Sequence, residues 1–562
     1  MTTSLLVRPK RMLIGRPMRN ENMGETLLSK KLALPVFCSD PLSSNAYATE
    51  EILLILSIGG LTMLHLTWWV AAAVVLLLIV VVASYRQTCH AYPSGGGAYA
   101  VSRANLGSDA SLVAGSALLV DYVLTVAVSV AAGVANIVAA FPALAPHIVA
   151  ASLGLVILVA MMNLRGVKES GTIFAIPTYG FVACIFAMLG YGAYRILAGD
   201  SPRAESADIG IHATQHVSGL LVLALALRAF ASGCTALTGV EALSNGVPNF
   251  KKPKSKNAAS TLAVMGVLTI VMFVGITTLA LISHVHMAGD PSQLIGAPAG
   301  YEQRTTIAQV SSAVFGNGSI LFYLVQAFTA AILVLAANTA FNGFPILASI
   351  LGSDEYLPRQ FGRRGDRLVF SNGIVILALL AGLLIWAFDA STTRLIQLYI
   401  IGVFVSFTLS QAGMVVHWTR LMKDPNAREK YGYMRRARVI NALGASVTAL
   451  VLGIVLVTKF THGAWIVVIA MPLVFLMMKS IRRHYSSVSA ALVPQAGGVQ
   501  LPARIHTIVL VSKFETPTLR ALAFARATRP DSLVALTVNS NQHETDAVLK
   551  EWGERDIPVP LT

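Results

Sequence analysis

The sequence predicts an α-helical polytopic membrane protein of about twelve transmembrane helices, arranged as a 5+5 inverted repeat plus two, with a partial α/β domain at its C-terminal end. Three observations carry this reading. Of 562 residues, 55% are hydrophobic and only 12% charged, with a mean hydropathy of +0.67, outside the composition of soluble domains. Apolar windows of about 20 residues, each long enough to cross a bilayer, recur along most of the chain. Two of these windows, five spans apart, are interrupted by polar and helix-breaking residues, the pattern of an inverted-repeat transporter with its site near the midplane.

The residues before position 33 are polar and basic (Arg8, Lys10, Arg11, Arg16, Arg19, Lys30, Lys31) and show no apolar core ahead of a small-residue cleavage site, so 1–32 is expected to be a cytosolic tail. Spans follow near 33–58, 65–84, 110–140, 146–163, 171–197, 217–247, 259–284, 316–350, 369–388, 394–418, 438–457 and 463–481, within a transporter domain 33–482. With the N-terminus inside, the inner loops hold Arg86 and Arg103, Arg165 and Lys168, Lys251 to Lys256, Arg359 to Arg367, the segment from Arg420 to Arg438, and Arg482 and Arg483. The outer loops hold only Arg195, Arg203, Arg304, Arg394 and Lys459. That asymmetry puts both termini in the cytoplasm of a cell (inner) membrane protein. It also accounts for the net charge of +15 without nucleic acid, which is not an expected partner; the bilayer is.

Past the last span, 483–504 is rich in Ser, Gly, Pro and Ala and reads as a linker. In 505–562, strand-like runs at His506–Val511 and Ser532–Val538 alternate with helical stretches at Pro517–Arg526 and Gln542–Trp552, a small α/β module. Cys38, Cys89, Cys184 and Cys234 have neither CxxC nor Cys/His spacing and read as packing residues. No nucleophile–base set or metal motif lies in an aqueous segment, so an enzyme is not expected, nor a cofactor.

The first interruption is Pro35–Tyr47, PVFCSDPLSSNAY, where Ser39, Asp40 and Pro41 break an apolar run; the second is Ala231–Glu241 in span 6. Broken backbone inside a bilayer is tolerated only where it is buried in protein or lines a cavity. An acid within a span costs about 2.5–3.5 kcal/mol on insertion scales and points to function by default. Asp40, Asp121 and Glu241 are therefore expected to face one aqueous or ion-filled site. Glu50 and Glu51 read as less certain members, open to a structural hydrogen bond or a pair with Arg228, the only obvious intramembrane base.

Span 3 places Asp121, Thr125 and Ser129 on one helix face; each hydroxyl alone would bond its own i−4 carbonyl, and the alignment with Asp121 is what favours a ligand role. Span 6 adds Thr238 and Glu241 beside glycines. Tyr399 in span 10 is open between an interfacial-belt residue and a site residue, and Asn338 with Asn342, which share a face, are open between a second polar site and interhelical glue. A carboxylate at the first break repels an amino-acid carboxylate, whereas carboxylates, hydroxyls and freed carbonyls suit a hard monovalent cation. Polyamines and cationic amino acids remain open at this point.

The stretches LPVFCSDPLSSNAYATEEILL, YPSGGGAYAVSRANLG, LLVDYVLTVAVSVAAGV, NLRGVKESG, LRAFASGCTALTGVEALSNGVPNF and LYIIGVFVSFTLSQAGM closely resemble the KimA-type potassium importers, relatives of the KUP transporters in the amino acid–polyamine–organocation superfamily. The resemblance implies a LeuT-like fold and potassium uptake by symport with protons. Carried over position by position, it implies potassium ligands at Asp40, Tyr47, Asp121, Thr125, Ser129, Thr238, Glu241 and Tyr399, of which only Tyr47 is not singled out by the residues themselves. Glu241 is the expected proton-coupling residue. The C-terminal segment resembles the first half of a universal-stress-protein-like domain, ending at Thr562 where the family continues. The resemblance implies a homodimer through that domain and regulation by a cyclic dinucleotide or adenine nucleotide. The readings carried forward are a potassium–proton symporter, a polyamine or cationic amino acid permease, and a non-transporting membrane receptor.

Overall fold

The computed structural model describes residues 27–166, 171–214, 218–290, 293–298, 301–365, 369–425, 431–493, 504–539 and 542–562. Most of the expected tail and residues 494–503 of the expected linker lie outside this set. The chain divides into two units, 1–485 and 486–562.

In the first unit, span 1 is α1 (Lys30–Ser43) with α2 (Asn45–Leu56), and span 2 is α3 (Thr67–Ala91). After the short helix α4 (Ala98–Asn105), spans 3 to 5 are α5 (Ser108–Ala140), α6 (Ile148–Leu164) and α7 (Gly171–Leu197). Span 6 is α8 (Leu220–Gly233) with α9 (Val240–Asn245), and span 7 is α10 (Lys254–Ile282). The connecting helix α11 (Thr306–Phe315) leads to spans 8 and 9, α12 (Ile320–Ser353) and α13 (Ser371–Ala387). Span 10 is α14 (Thr392–Leu398) with α15 (Ile401–Leu421), followed by α16 (Tyr431–Lys459) and α17 (Trp465–Ala491). Ten segments among the described residues are long and apolar enough to cross a membrane. The pair α1–α2 and the shorter apolar helix α13 bring the bundle to the twelve spans expected. Its outer helices expose large apolar side chains such as Trp69, Leu220, Leu383 and Val457, as a surface solvated by lipid does.

The packing shows the repeat. α5 lies on α12, α3 on α10 and α6 on α13, joining spans 3 and 8, 2 and 7, and 4 and 9. α5 also packs on α15 as α12 packs on α7, a pair of contacts exchanged when each span number shifts by five. The broken spans meet each other, α2 against α8 and α1 against α9. Spans 11 and 12 stand outside the repeat, with α16 covering α15 and α3. One further tie holds the broken spans together: the Leu28 N–H donates to the Asn249 carbonyl at 2.8 Å and the Lys251 N–H to the Leu28 carbonyl at 3.0 Å.

Two expectations need correction. Span 1 does not break at Ser39–Pro41; α1 runs through both, and the interruption falls at Ser44. Proline fixes a helical φ and removes one rung, the N–H that would have reached the Phe37 carbonyl, so the helix loses a bond without ending. The hydroxyls of Ser43 and Ser44 both donate to the Asp40 carbonyl at 2.9 Å just beyond it. At the other end, α17 continues to Ala491, so the first part of the expected linker 483–504 is helical.

The second unit holds β3 (His506–Leu510), α18 (Thr516–Ala527), β4 (Ser532–Leu536) and α19 (Gln542–Glu554), close to the order read from the sequence. The earlier strands β1 (Gly210–Ile211) and β2 (Leu294–Ile295) form a minor antiparallel pair in the first unit. β3 and β4 are parallel with His506 opposite Ser532, and Leu561 extends the sheet beside Ala535. Val509, Leu522, Ala535, Val548 and Trp552 form its small core.

Candidate functional site

Span 6 breaks in the manner its sequence demands. After α8, Cys234–Leu237 tightens into a 3₁₀ turn, Thr238 is extended, and Gly239 takes φ +74 before α9 begins. A side chain at Gly239 would meet Asp40: an added Cβ would lie 2.4 Å from Oδ2 and 2.8 Å from its Cβ. The two interrupted spans therefore touch at Asp40 and Gly239, and only a glycine allows it.

Around that contact lies a cavity of about 30 Å³, lined by Asp40, Asp121 and Glu241 together with Thr125, Tyr122, Thr339 and Phe407. It has room for one or two water-sized bodies. Asp40 Oδ1, Asp121 Oδ1 and Glu241 Oε1 are buried and find no hydrogen-bond donor among the described residues. Buried polar oxygens left open in this way call for an unseen partner. Three acidic side chains line the cavity and, among the described residues, no basic one does, a charge balance that suits a cation.

The other expected ligands reach the cavity in different ways. Thr125 lines it; its hydroxyl bonds the Asp121 carbonyl at 2.9 Å, as an isolated threonine would, and also the Tyr399 hydroxyl at 2.9 Å. Tyr399 thus joins through Thr125. It sits at a third break, between α14 and α15, where Ile400 has φ +89. Thr238 and Tyr47 meet through Ser44, whose hydroxyl lies 2.7 Å from Thr238 Oγ1 and 3.0 Å from the Tyr47 hydroxyl. Ser129 is buried one turn beyond Thr125 and does not line the cavity.

The cavity opens toward one face of the bundle. Through Leu118, Tyr122, Ala242 and Thr339 it adjoins a vestibule of about 390 Å³ that reaches Gly95 and Asn249, on the face carrying the start of α1. On the opposite face a separate pocket of about 550 Å³ is lined by Arg228, Thr393, Gln397 and His462. Between that pocket and the cavity stand Tyr47, Thr238 and Tyr399, all buried.

Comparison with known proteins shows the family. A family profile for amino acid permeases matches residues 33–478. The chain belongs to the amino acid permease family. A profile for the KimA potassium transporter C-terminal domain matches residues 504–562 of this permease. The potassium transporter KimA of Bacillus subtilis is 40% identical over 555 residues, which span 98% of this chain and 86% of that protein, so the permease is of the KimA type. Among solved structures, a manganese transporter of Eremococcus coleocola, crystallised with an aromatic bis-isothiourea substituted compound, is similar at 13% identity over 82% of this chain and 94% of its own, with a TM-score of 0.39.

Three features of the permease, the first a pair of hydroxyls, are not singled out by the sequence. Ser406, on α15, donates to Glu241 Oε2, and the Tyr85 hydroxyl approaches the same oxygen at 3.5 Å, so one oxygen of Glu241 is held while the other faces the cavity. Ser44 joins the two broken spans. The third is Lys459, expected on an outer loop and instead fully buried, its Nζ donating to the Ile396 carbonyl at 3.3 Å near the end of α14. It faces Glu51, which is buried among Lys459, Arg228 and the Thr393 hydroxyl with Oε2 left open. Glu50 serves structure, accepting the Thr306 N–H at 2.7 Å at the start of α11.

Removing one partner of a buried charge pair is more damaging than removing both, because the survivor stays uncompensated. Glu51→Gln, which leaves the charges of Lys459 and Arg228 facing each other without their shared carboxylate, is expected to destabilise the permease by about 3 kcal/mol, and the double variant Lys459→Met/Glu51→Gln to recover most of that. Thermal unfolding in one fixed detergent checks it; a double variant no more stable than Glu51→Gln would show that the two charges are not coupled.

Proposed function

We propose that this permease is a secondary active transporter that imports potassium by symport with protons. The observation that carries the proposal is the charge of the cavity: three carboxylates around a space for one or two water-sized bodies, with no basic group among the described residues that line it. One monovalent cation would leave two negative charges uncompensated in a low-dielectric interior, an arrangement that like-charge repulsion and desolvation both oppose. Protons supply the missing charge, and moving a cation in or out changes how many are held. The KimA relative, named a potassium transporter, supports potassium as the ion.

Asp40, Asp121 and Glu241 hold the cation with the Thr125 hydroxyl, and Tyr47, Ser129, Thr238 and Tyr399 complete the oxygen-rich surroundings. Glu241 exchanges the proton: Ser406 and Tyr85 fix one of its oxygens, and the neighbouring Ala242 lines both cavity and vestibule. The excess of Lys and Arg in the loops of that face supports a cytosolic vestibule.

Purified protein in proteoliposomes, with rubidium uptake measured under an imposed proton gradient, tests the reading. Uptake is expected to accelerate with the gradient. Glu241→Gln is expected to lose most of that acceleration while rubidium affinity changes by less than about tenfold, and undiminished proton dependence in this variant would remove Glu241 from the role. Suppression of rubidium uptake by spermidine would favour an organic-cation permease instead.

A further inference from the structure

The vestibule has a chemistry different from that of the cation cavity it leads to. Its volume of about 390 Å³ falls within the range of small-molecule sites, and its walls are mostly apolar, from Val36 to Leu347 and Ile350. Among the described residues no charged side chain lines it. Three aromatic rings do: Phe37 from α1, Tyr99 from α4 and Tyr122 from α5. Two of these are held in place. The Tyr99 hydroxyl donates to Asp354 Oδ2 at 2.7 Å, and Phe37 stacks on Phe250 with centroids 5.8 Å apart while lying so close to Gly246 that a Cβ there would fall 2.6 Å from its ring.

Aromatic rings attract cations through their negative faces, and the ions they hold best are those that give up little hydration, above all quaternary ammonium groups. A bare inorganic ion or a primary ammonium would exchange its water for a few polar groups (Ser94, Asn245, Asn249, Thr339, Asn342) spread over walls that are mostly apolar, a poor return for its dehydration. At the vestibule's inner end, past Leu118, Tyr122, Ala242 and Thr339, lie the three carboxylates, whose field favours positive charge. An ion with four alkyl arms is too wide to follow potassium into a cavity of about 30 Å³.

We propose that the vestibule is a binding site for quaternary ammonium ions with apolar arms, which lodge among Phe37, Tyr99 and Tyr122 and plug the path between the cation cavity and the face carrying the start of α1. That this face is cytosolic rests on the function proposed above; the binding itself does not.

The test uses the full chain in lipid nanodiscs titrated calorimetrically with tetrabutylammonium, with tetramethylammonium as the ion lacking apolar arms. Tetrabutylammonium is expected to bind, tetramethylammonium at least about tenfold more weakly, and Phe37→Leu to weaken tetrabutylammonium about fivefold. Tyr99→Leu, on a different helix, is expected to weaken it similarly, so misfolding of one variant leaves the other to decide. In proteoliposomes of known orientation, the ion is expected to inhibit rubidium flux only from the vestibule's face. Equal affinity in the wild type and both variants would overturn the site, as would binding in detergent that disappears in nanodiscs because a lipid chain fills the vestibule. A wild-type chain that moves no rubidium would defeat the transport reading, and the titration would still decide this one.

Discussion

Asp40→Asn is expected to abolish growth of a potassium-uptake-deficient bacterium at limiting potassium, under conditions where the unaltered chain restores it. Asn preserves the shape of the side chain and removes the charge, so the cavity keeps its form and loses one of the three groups facing the ion. Losing a buried charged partner costs about 3 kcal/mol, or about two orders of magnitude in affinity. Stability should move the other way. Asp40 Oδ1 finds no donor among the described residues, so the carboxylate is a burden to the empty fold, and the variant should unfold at a temperature no lower than the parent. Growth equal to the parent at limiting potassium would remove Asp40 from the site.

Gly239→Ala should be nearly as damaging, through position instead of charge. At φ +74 an L-residue is strained by about 1–2 kcal/mol, and the added methyl would have to occupy the space of the Asp40 carboxylate, 2.4 Å from Oδ2. Either Asp40 turns away from the cavity or α9 moves off α1; both separate Asp40 from Glu241. Rubidium affinity is expected to fall at least about tenfold and the unfolding temperature to drop, the second effect being the one that Asp40→Asn lacks. Parental affinity in a well-folded Gly239→Ala protein would mean that the contact between the two breaks does not set the site.

The span count, the two-fold repeat and most of the cavity were legible because each leaves a mark on an apolar background. Asp40, Asp121 and Glu241 are costly there, and Thr125 shares a helix face with Asp121. The position of the first break was not legible: Ser39, Asp40 and Pro41 look like breakers, yet serine hydroxyls and a compatible proline φ let the helix pass them. The third break left no mark at all, since LYIIG offers neither proline nor glycine at Tyr399–Ile400, and a β-branched residue is the last expected at positive φ. Lys459 was misplaced because a lysine closing an apolar run ordinarily reaches out to the interface; here it turns inward to the Ile396 carbonyl and the charge of Glu51. Ser406 carries no mark in its own helix, because the carboxylate it bonds, Glu241, lies on span 6. In each case the missing information lies on another span, which one helix's sequence does not report.

The ladder between Leu28 and the segment Asn249–Lys251 has a mechanical consequence. It joins the chain just before α1 to the chain just after α9, and the Phe37–Phe250 stack reinforces the joint. The vestibule runs between this joined pair on one side, with Phe37 and Asn245, and α5 and α12 on the other, with Tyr122 and Asn342. Displacing α1 alone would break two backbone hydrogen bonds, so the ladder couples α1 to α9 as a single lever. Asp40 sits on one arm of that coupled pair and Glu241 on the other, so any displacement of the pair would carry both carboxylates together relative to Asp121 on α5.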